Sequence, residues 1–401
     1  MSPDDEAQRP PGVTRRGFLK WTGAGVGAAV VAGAAGVGIR GALNGGFAAG
    51  AGDPYELWSA WNGLTGTDRV VAAGVLACNP HNTQPWVIGI ADNRITIASD
   101  PSRRMPVNDA MEREHFAGVG CAIENMVIAA RAAGTQVDVD LFPDGTSADL
   151  VARLTLQDGA GPILDAELEA AIPRRHTNRG AYRADPVGLA DLDRLAGTQP
   201  ITGASVVWIT EATARSGLGA LYVEATQAIV ADPQQSEEAF SWFRNDRADI
   251  ERSRDGLTLD CQGLDGLTLF LAKVLPAQSR TEGDQFWVKS TREVHTATAA
   301  AYGVVTVDDV ASRASQVAGG RLLARLHLGA TAAGLGFHHM NQITERIDRA
   351  AALGVPDEFS GRWSSIIGVP ASKGLVSFRV GRPERDALPS PRRELSDIVR
   401  H

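Results

Sequence analysis

The sequence has few cysteines and lacks the cysteine spacings that build a disulfide framework or a thiolate zinc site. The three cysteines among the 401 residues are Cys78, Cys121 and Cys261, an odd number without a C-x-x-C pair. We therefore predict that each is a small buried apolar residue. The sequence also lacks a G-x-S-x-G motif, so we expect no serine nucleophile of the α/β-hydrolase kind.

Basic residues are outnumbered by acidic ones, which argues against a nucleic-acid partner. The chain has 39 Lys and Arg against 47 Asp and Glu, a formal net charge of -8. Proteins that bind nucleic acid or anionic surfaces present an excess of basic groups, so any phosphate site here must be local. A hydrophobic content of 44% with 21% charged residues predicts a folded core in one large or two modest domains.

The N-terminal segment is typical of a twin-arginine export signal. Thr14–Lys20 reads T-R-R-G-F-L-K and precedes an uncharged run of mostly Gly, Ala and Val over Trp21–Ile39. Ala49–Ala51 provides small residues at which a signal peptide could be cleaved. We predict that residues 1–51 are a signal peptide, recognised by the twin-arginine export machinery, that directs the chain to the periplasm or cell envelope. The alternative is an N-terminal membrane anchor, since the run is long enough to span a bilayer.

The rest of the chain mixes helix and strand patterns without a regular βαβ alternation, which predicts an α+β layered fold. Helices are predicted over residues 64–78, 109–133, 165–172, 211–230, 237–246, 308–317, 321–333 and 340–353. Strands are predicted over a hairpin at 86–98 and over 137–142, 150–156, 206–209, 364–369 and 375–380. Residues 252–302 give no clear pattern.

The two halves of the chain share one feature that suggests an internal duplication. Ala132–Gly134 ends one predicted long helix, and Ala332–Gly334 ends another. We predict a first half over 55–164 and a second half over 165–401.

A basic segment follows Pro173 and is predicted to be extended or loop-like. Alternating side chains would place Arg175, Thr177 and Arg179 on one face, where two guanidinium groups and a hydroxyl could bind a phosphate. The alternative is a solvated basic run. Arg392 and Arg393, in the proline-stiffened C-terminal tail, could reach the same anion or be solvated.

Two further segments could face a ligand. The loop that contains Asn79, Asn82 and Gln84 could supply amide donors and acceptors to a planar heterocycle, or could be a structural loop. Gly334–Gly336 could expose backbone amides, or could only cap a helix.

A metal site is the third hypothesis, built on His338 and His339 with His327 and Glu345. Adjacent histidines on a helix end point about 100° apart and seldom bind one ion together. We therefore expect no metal site.

These motifs resemble those of nitroreductases, and more closely those of the FMN-binding Acg family within that superfamily. Arg175–Arg179 resembles the Arg-x-Ser-x-Arg phosphate motif, and Asn82–Trp86 resembles the Asn-x-Gln-Pro-Trp loop. Residues 334–336 and 381–393 resemble the later Gly-Leu-Gly and Gly-x-Pro segments. Two Acg segments, Asp-Pro-Ser-Arg-Arg and Ser-Pro-Arg-Arg, are present at 100–104 and 390–393.

The resemblance implies a nitroreductase-like fold in which the duplicated halves form a pseudo-dimer, monomeric as a chain, with a single site for flavin mononucleotide (FMN). Carried over by motif, three groups of residues would contact the flavin. Arg175, Thr177, Arg179 and Arg392 or Arg393 would hold the phosphate; Asn79, Asn82 and Gln84 the ribityl chain or ring edge; and Gly334, Leu335 and Gly336 the region of flavin N5.

The activity implied is an exported FMN-dependent oxidoreductase that passes electrons through flavin N5 from an unidentified small donor to a small acceptor. Flavin does the electron chemistry, so no catalytic side chain is predicted. The rival hypothesis is a protein that binds or sequesters flavin without turnover.

Overall fold

A computed structural model of the chain describes residues 41, 43–157, 161–197 and 199–400. Helices and strands are mixed along the chain, so the predicted α+β fold class is confirmed. The strands are β1 (Trp86–Ala91), β2 (Arg94–Ser99), β3 (Val137–Leu141), β4 (Leu150–Leu156), β5 (Ala204–Ile209), β6 (Phe243–Arg244), β7 (Leu257–Thr258), β8 (Ala301–Val307), β9 (Gly336–His339), β10 (Gly374–Gly381) and β11 (Val399–Arg400).

The helices surround two main sheets. They are α1 (Glu56–Ala60), α2 (Gly66–Val75), α3 (Arg113–Ala132), α4 (Ala166–Ala171), α5 (Leu189–Asp193), α6 (Ala212–Ala231), α7 (Pro233–Ser241), α8 (Arg247–Ser253), α9 (Gly266–Val274), α10 (Arg280–Ser290), α11 (Arg313–Ala332), α12 (Gln342–Leu353), α13 (Ser360–Ile367) and α14 (Leu395–Ile398). Among the shorter helical turns are Pro80–Asn82 and Ile172–Arg174.

The first sheet has the strand order β11-β1-β2-β4-β3 and the second has the order β5-β8-β10-β9, while β6 and β7 form a separate pair. The predicted hairpin is present, with Trp86 opposite Ser99 and a turn at Asp92, whose φ of 53° is left-handed. Strand β11 pairs in parallel with β1. The C-terminal tail therefore returns to the sheet of the first half, and one hydrophobic core runs through both predicted halves.

Helices α3 and α11 pack against each other through glycine. A Cβ atom added at Gly320 would lie 2.0 Å from the backbone oxygen of Ala117, and one added at Gly120 would lie 2.3 Å from that of Val317. Glycine at both positions is what lets the helix backbones approach this closely. Each helix has 20 residues and ends at the Ala-Ala-Gly sequence predicted to close it.

Three sequence-based assignments in the second half are wrong. Residues 364–369 are not a strand, because Trp363 and Ile367 face the core one helical turn apart in α13. Residues 308–317 and 321–333 are not separate helices, since α11 is continuous from Arg313. Strand β8 was missed because all seven of its residues, including Thr306, are buried and give no strand alternation.

No helix among the described residues is long and apolar enough to cross a membrane. The predicted twin-arginine segment, Thr14–Lys20, and the run after it lie outside the described residues. Export therefore stays a prediction.

Candidate functional site

A cavity of about 270 Å³ brings together most of the residues singled out from the sequence. Its walls include six of them, from both predicted halves: Asn79, Asn82, Arg175, Thr177, Arg179 and Arg392. A ligand in this cavity would therefore contact segments separated by more than 300 residues of the chain.

The segment after Ile172–Arg174 is extended, as predicted, and its side chains alternate. Arg175, Thr177 and Arg179 line the cavity. The side chain of Asn178 points away from the cavity, and its Nδ2 donates to the carbonyl oxygen of Arg385 at 2.8 Å. The alternation predicted from the sequence is thus observed, and it presents two guanidinium groups and one hydroxyl to the same cavity.

The arginines of the cavity wall carry charge that no carboxylate neutralises. Among the ion pairs of the described residues, none includes Arg175, Arg179 or Arg392. Burial lowers the pKa of all three, and it lowers that of Arg392 to about 9, with help from the nearby Arg175. Buried unpaired cations are costly, so the cavity favours an anionic ligand.

The arginines differ in how many hydrogen-bond donors remain for a ligand. Arg179 makes one hydrogen bond within the described structure, from Nη1 to the carbonyl oxygen of Cys261 at 3.1 Å. Arg175 donates from Nη2 to Leu76 O at 3.1 Å, and its buried Nε has no partner in the described residues. Since a guanidinium group has five N–H donors, Arg179 keeps the most donors free.

Arg392 has a structural role that the sequence did not indicate. Its guanidinium group donates to Val75 O at 2.8 Å, Leu76 O at 3.3 Å and Ala77 O at 3.2 Å, at the C-terminal end of α2. Nη1 also donates to Asn82 Oδ1 at 2.7 Å. Arg392 therefore has few donors left for a phosphate, although it was a predicted phosphate ligand.

Arg393, the other predicted phosphate ligand of the tail, does not line the cavity. Its backbone nitrogen donates to Gln84 Oε1 at 2.9 Å, and its Nη2 donates to Asp397 O at 3.3 Å. The first contact holds the tail against the first half, and the second lies within the tail.

The amides of the Asn79 loop hold the protein's own backbone. Gln84 is fully buried outside the cavity wall, and its Nε2 donates to Arg254 O at 2.8 Å. Asn82 donates from Nδ2 to Pro391 O at 2.9 Å, and Asn79 Oδ1 accepts from the backbone nitrogen of Gln84 at 2.7 Å. The loop thus connects the first half to the C-terminal tail, and any ligand contact by Asn79 or Asn82 must use their remaining donors or lone pairs.

Gly334, Leu335 and Gly336, expected near flavin N5, do not line the cavity. Gly334 has a φ of 68° and Leu335 N donates to Ala330 O at 2.8 Å, so this segment caps α11. A Cβ atom added at Gly336 would lie 2.7 Å from the ring of Tyr182. The structure therefore shows the helix cap, one of the two alternatives for these glycines. In this part of the chain, the cavity wall begins at His338.

One side of the cavity is an aromatic wall that the sequence did not reveal. The half-buried rings of Phe240, Phe243, Phe286 and Trp287 line it. Phe286 and Trp287 lie in α10, within the stretch 252–302 that gave no pattern. A signal for that helix was present, because Ser279 and Glu282 form a capping box at its start.

Two buried carboxyl groups, those of Glu114 and Glu345, face the cavity. Glu345 and Asn341 hydrogen-bond to the carboxyl group of Glu114. Burial raises the pKa of Glu114, and burial together with the charge of Glu114 raises that of Glu345 well above its ordinary value. The pair therefore keeps a proton to higher pH than an ordinary glutamate does.

Known proteins similar to this chain are nitroreductases by name, and no protein-family model matches it. Over 173 residues, the chain is 30% identical to a Mycobacterium tuberculosis H37Rv protein named "Putative NAD(P)H nitroreductase", covering 43% of this chain and 49% of that protein. Over 137 residues it is 28% identical to "Putative NAD(P)H nitroreductase acg" of the same strain, covering 33% and 37%. The chain thus spans about half the length, or less, of these relatives.

Two solved structures that match the chain are also nitroreductases. The FMN-dependent nitroreductase NfnB from Mycobacterium smegmatis, in complex with NADPH, matches with a TM-score of 0.38 at 19% identity, over 59% of this chain and 99% of that one. A nitroreductase with bound FMN from Desulfitobacterium hafniense matches with a TM-score of 0.35 at 14% identity, over 59% and 97%. At these scores the matches carry no information about this chain's ligand or activity.

Proposed function

We propose that this chain is a nitroreductase-like protein that binds FMN in the cavity and acts as a flavin-dependent oxidoreductase. The observation that carries the proposal is a set of three arginines that face the cavity and have no carboxylate partner in the described residues: Arg175 and Arg392, which are buried, and Arg179, which is half-buried. FMN supplies both an anionic phosphate for these arginines and a flat ring for an aromatic wall. The relatives named as NAD(P)H nitroreductases, at 30% identity, support an oxidoreductase.

The phosphate end of the ligand belongs at Arg179 and Thr177. Arg179 has the most free donors, and the Thr177 hydroxyl lies two residues before it in the same extended segment. A phosphate monoester carries a charge of about -1.5 to -2, and charged hydrogen bonds to it stabilise binding by about 1.5–3 kcal/mol each. In an extended chain, the Cα atoms of Arg175 and Arg179 are about 13 Å apart. Arg175 therefore contacts another part of an elongated ligand.

The ring end belongs against the aromatic wall. Phe240, Phe243, Phe286 and Trp287 provide apolar area on which a heterocycle can stack, and they exclude water from it. Bound FMN would supply the two-electron chemistry of the reaction. The Glu114 and Glu345 pair holds a proton at a carboxyl oxygen on the cavity wall, where it can be donated to an acceptor as that acceptor is reduced.

We further propose that the two halves form an internal pseudo-dimer around one site. The reciprocal packing of Gly120 and Gly320 between two 20-residue helices supports this, as a two-fold axis between the halves would produce it. The meeting of Asn79 and Arg179 on one cavity, from opposite halves, supports it as well. The expected stoichiometry is one FMN per chain.

Export by the twin-arginine pathway is proposed from Thr14–Lys20 alone. The electron donor is proposed to be a nicotinamide, by analogy with the names of the relatives. Because an exported protein has no access to the cytoplasmic nicotinamide pool, flavin binding without turnover is the second candidate function.

The test is titration of the purified chain with FMN, followed by the quenching of flavin fluorescence. We expect saturation at one FMN per chain, and an affinity that falls about 10- to 100-fold in Arg179→Ala. Arg174→Ala is the matched control, because Arg174 is exposed in the same segment and outside the cavity wall. Equal effects of the two substitutions, or no FMN binding, would reject the site.

A second assay separates the two candidate functions. The FMN-loaded protein is mixed with NADPH and then with a panel of nitroaromatic compounds and quinones, and the flavin absorbance is recorded. Bleaching by the donor and recovery with the acceptor indicate an oxidoreductase. A flavin that stays oxidised with NADPH but is reduced by dithionite indicates a binding protein.

A further inference from the structure

One side-chain cluster at the cavity has no role in flavin binding. It consists of Cys78, His327 and His339, whose possible ligand atoms all lie within 4.8 Å of one another. The three residues come from separate elements: Cys78 follows α2, His327 is in α11, and His339 ends β9. Cys78 and His339 line the cavity, so the cluster can be reached from it.

The side chains of the cluster are largely buried. Cys78 and His327 are buried, and His339 is partly exposed. The sulfur of Cys78 lies 3.5 Å from that of Cys121. The Nε2 atom of His339 is buried without a hydrogen-bond partner in the described residues.

His327 is oriented as metal-bound histidines usually are. Its Nε2 lies 3.4 Å from the carbonyl oxygen of His176, which can accept its proton and leave Nδ1 as the free lone pair. That lone pair now accepts a long hydrogen bond of 3.3 Å from Arg175 Nη1. A metal ion at Nδ1 would replace this bond and release Arg175 toward the cavity.

We propose that Cys78, His327 and His339 bind one divalent transition-metal ion, with Zn²⁺ the best match, and leave a fourth position open to the cavity. One thiolate with two imidazoles is a ligand set of the zinc type. Ligand atoms of tetrahedral zinc lie roughly 3.3–3.8 Å apart, so the spacing must close by about 1 Å.

Two neighbouring residues are excluded from the set. Cys121 donates from Sγ to the carbonyl oxygen of Gly320 at 3.1 Å, so its thiol serves another partner, 3.5 Å from the sulfur of Cys78. His338 accepts a hydrogen bond from Arg379 at 3.1 Å and packs on His295. The two adjacent histidines therefore serve different partners. They lie in strand β9 and not at a helix end as predicted, so alternation along the strand, and not a helical angle of about 100°, directs their side chains apart.

The experiment uses the full chain, reduced and stripped of metal with a chelator, and titrates it with Zn²⁺ alone. We expect one Zn²⁺ per chain, bound at least about 10- to 100-fold more weakly by Cys78→Ser and by His339→Gln. With Co²⁺, we expect a sulfur-to-cobalt charge-transfer absorption that Cys78→Ser abolishes. Cys261→Ser is the matched control, because Cys261 is a buried thiol of the same cavity outside the cluster.

His339→Gln keeps the test valid if Cys78→Ser does not fold, because His339 is partly exposed and its substitution should perturb the fold less. Circular dichroism of each variant is recorded beside the titration. A folded wild-type chain that binds no Zn²⁺, or a Cys78→Ser variant that binds it as tightly as the wild type, would overturn the proposal. The zinc titration does not depend on flavin, so failure of one proposed site does not decide whether the other exists.

Discussion

Removal of the Arg392 side chain should destabilise the fold more than it weakens flavin binding. Arg392 is 3% exposed and donates to three backbone carbonyl groups at the C-terminal end of α2, as well as to Asn82 Oδ1, Ser390 Oγ and Pro391 O. Each buried carbonyl group left without a donor costs about 1–3 kcal/mol, and a cation at a helix C-terminus adds about 0.3–1 kcal/mol. With partial relaxation, we expect a loss of about 3–5 kcal/mol of unfolding free energy in Arg392→Ala.

The assay is equilibrium unfolding in urea without flavin, with Arg400→Ala as the control because Arg400 is an exposed arginine of the same tail. Arg392→Lys serves as a milder variant if the alanine variant does not fold, and it should lie between the alanine variant and the wild type, since a lysine cannot reproduce the guanidinium fork. The reasoning is refuted if Arg392→Ala unfolds within 1 kcal/mol of the wild type while its FMN affinity falls tenfold or more. That result would make Arg392 a phosphate ligand, as the sequence motif suggested.

Three further predictions concern helix packing, pH and export. Gly320→Ala should lower the unfolding free energy by about 1–3 kcal/mol, measured in urea, because its Cβ would lie 2.0 Å from Ala117 O, whereas Gly361→Ala, with open space around it, should not. Because the folded chain holds a proton on the Glu345 pair that the unfolded chain releases, stability should fall as pH rises from the ordinary glutamate pKa through the raised one. Glu345→Gln should therefore gain unfolding free energy over the wild type as pH rises, by up to about 1.4 kcal/mol per pH unit, and a pH-independent difference would contradict this. Lysine at Arg15 and Arg16 should keep the protein in the cytoplasm on cell fractionation, and unchanged export would exclude the twin-arginine route.

The parts of the site that could be predicted from sequence are those fixed by local geometry. Pro173 lies in a short turn just after the end of α4, and the alternation of the extended chain that follows puts Arg175, Thr177 and Arg179 on one wall. The cap at Gly334 was also readable, because a glycine after a long helix is a local signal.

The parts that could not be predicted depend on contacts between distant segments. Gln84 was predicted to contact the ligand because the sequence does not show its partners within the protein. These partners, Arg254 O and Arg393 N, lie 170 and 309 residues away along the chain. Cys78 was read as a small apolar residue because nothing near it in sequence shows that His327 and His339 surround it.

Errors in the predicted helices and strands arose where the sequence does not show the expected periodicity of polar and apolar residues. Strand β8 is buried on both faces, so it has no alternation of polar and apolar residues. Helix α13 is short, and its Ile366-Ile367 pair is typical of a strand. Its buried residues Trp363 and Ile367, one turn apart, were the signal that favoured a helix.

Comparison of FMN with riboflavin, which differ only in the phosphate, tests most directly whether the unpaired arginines hold the cofactor. Fluorescence titrations of both flavins are made on the wild type, Arg179→Ala and the control Arg174→Ala. We expect the wild type and Arg174→Ala to bind FMN more tightly than riboflavin. Arg179→Ala should lose about 10- to 100-fold for FMN while its riboflavin affinity stays within about threefold. Equal losses for the two flavins, or a wild type that does not distinguish them, would contradict the account.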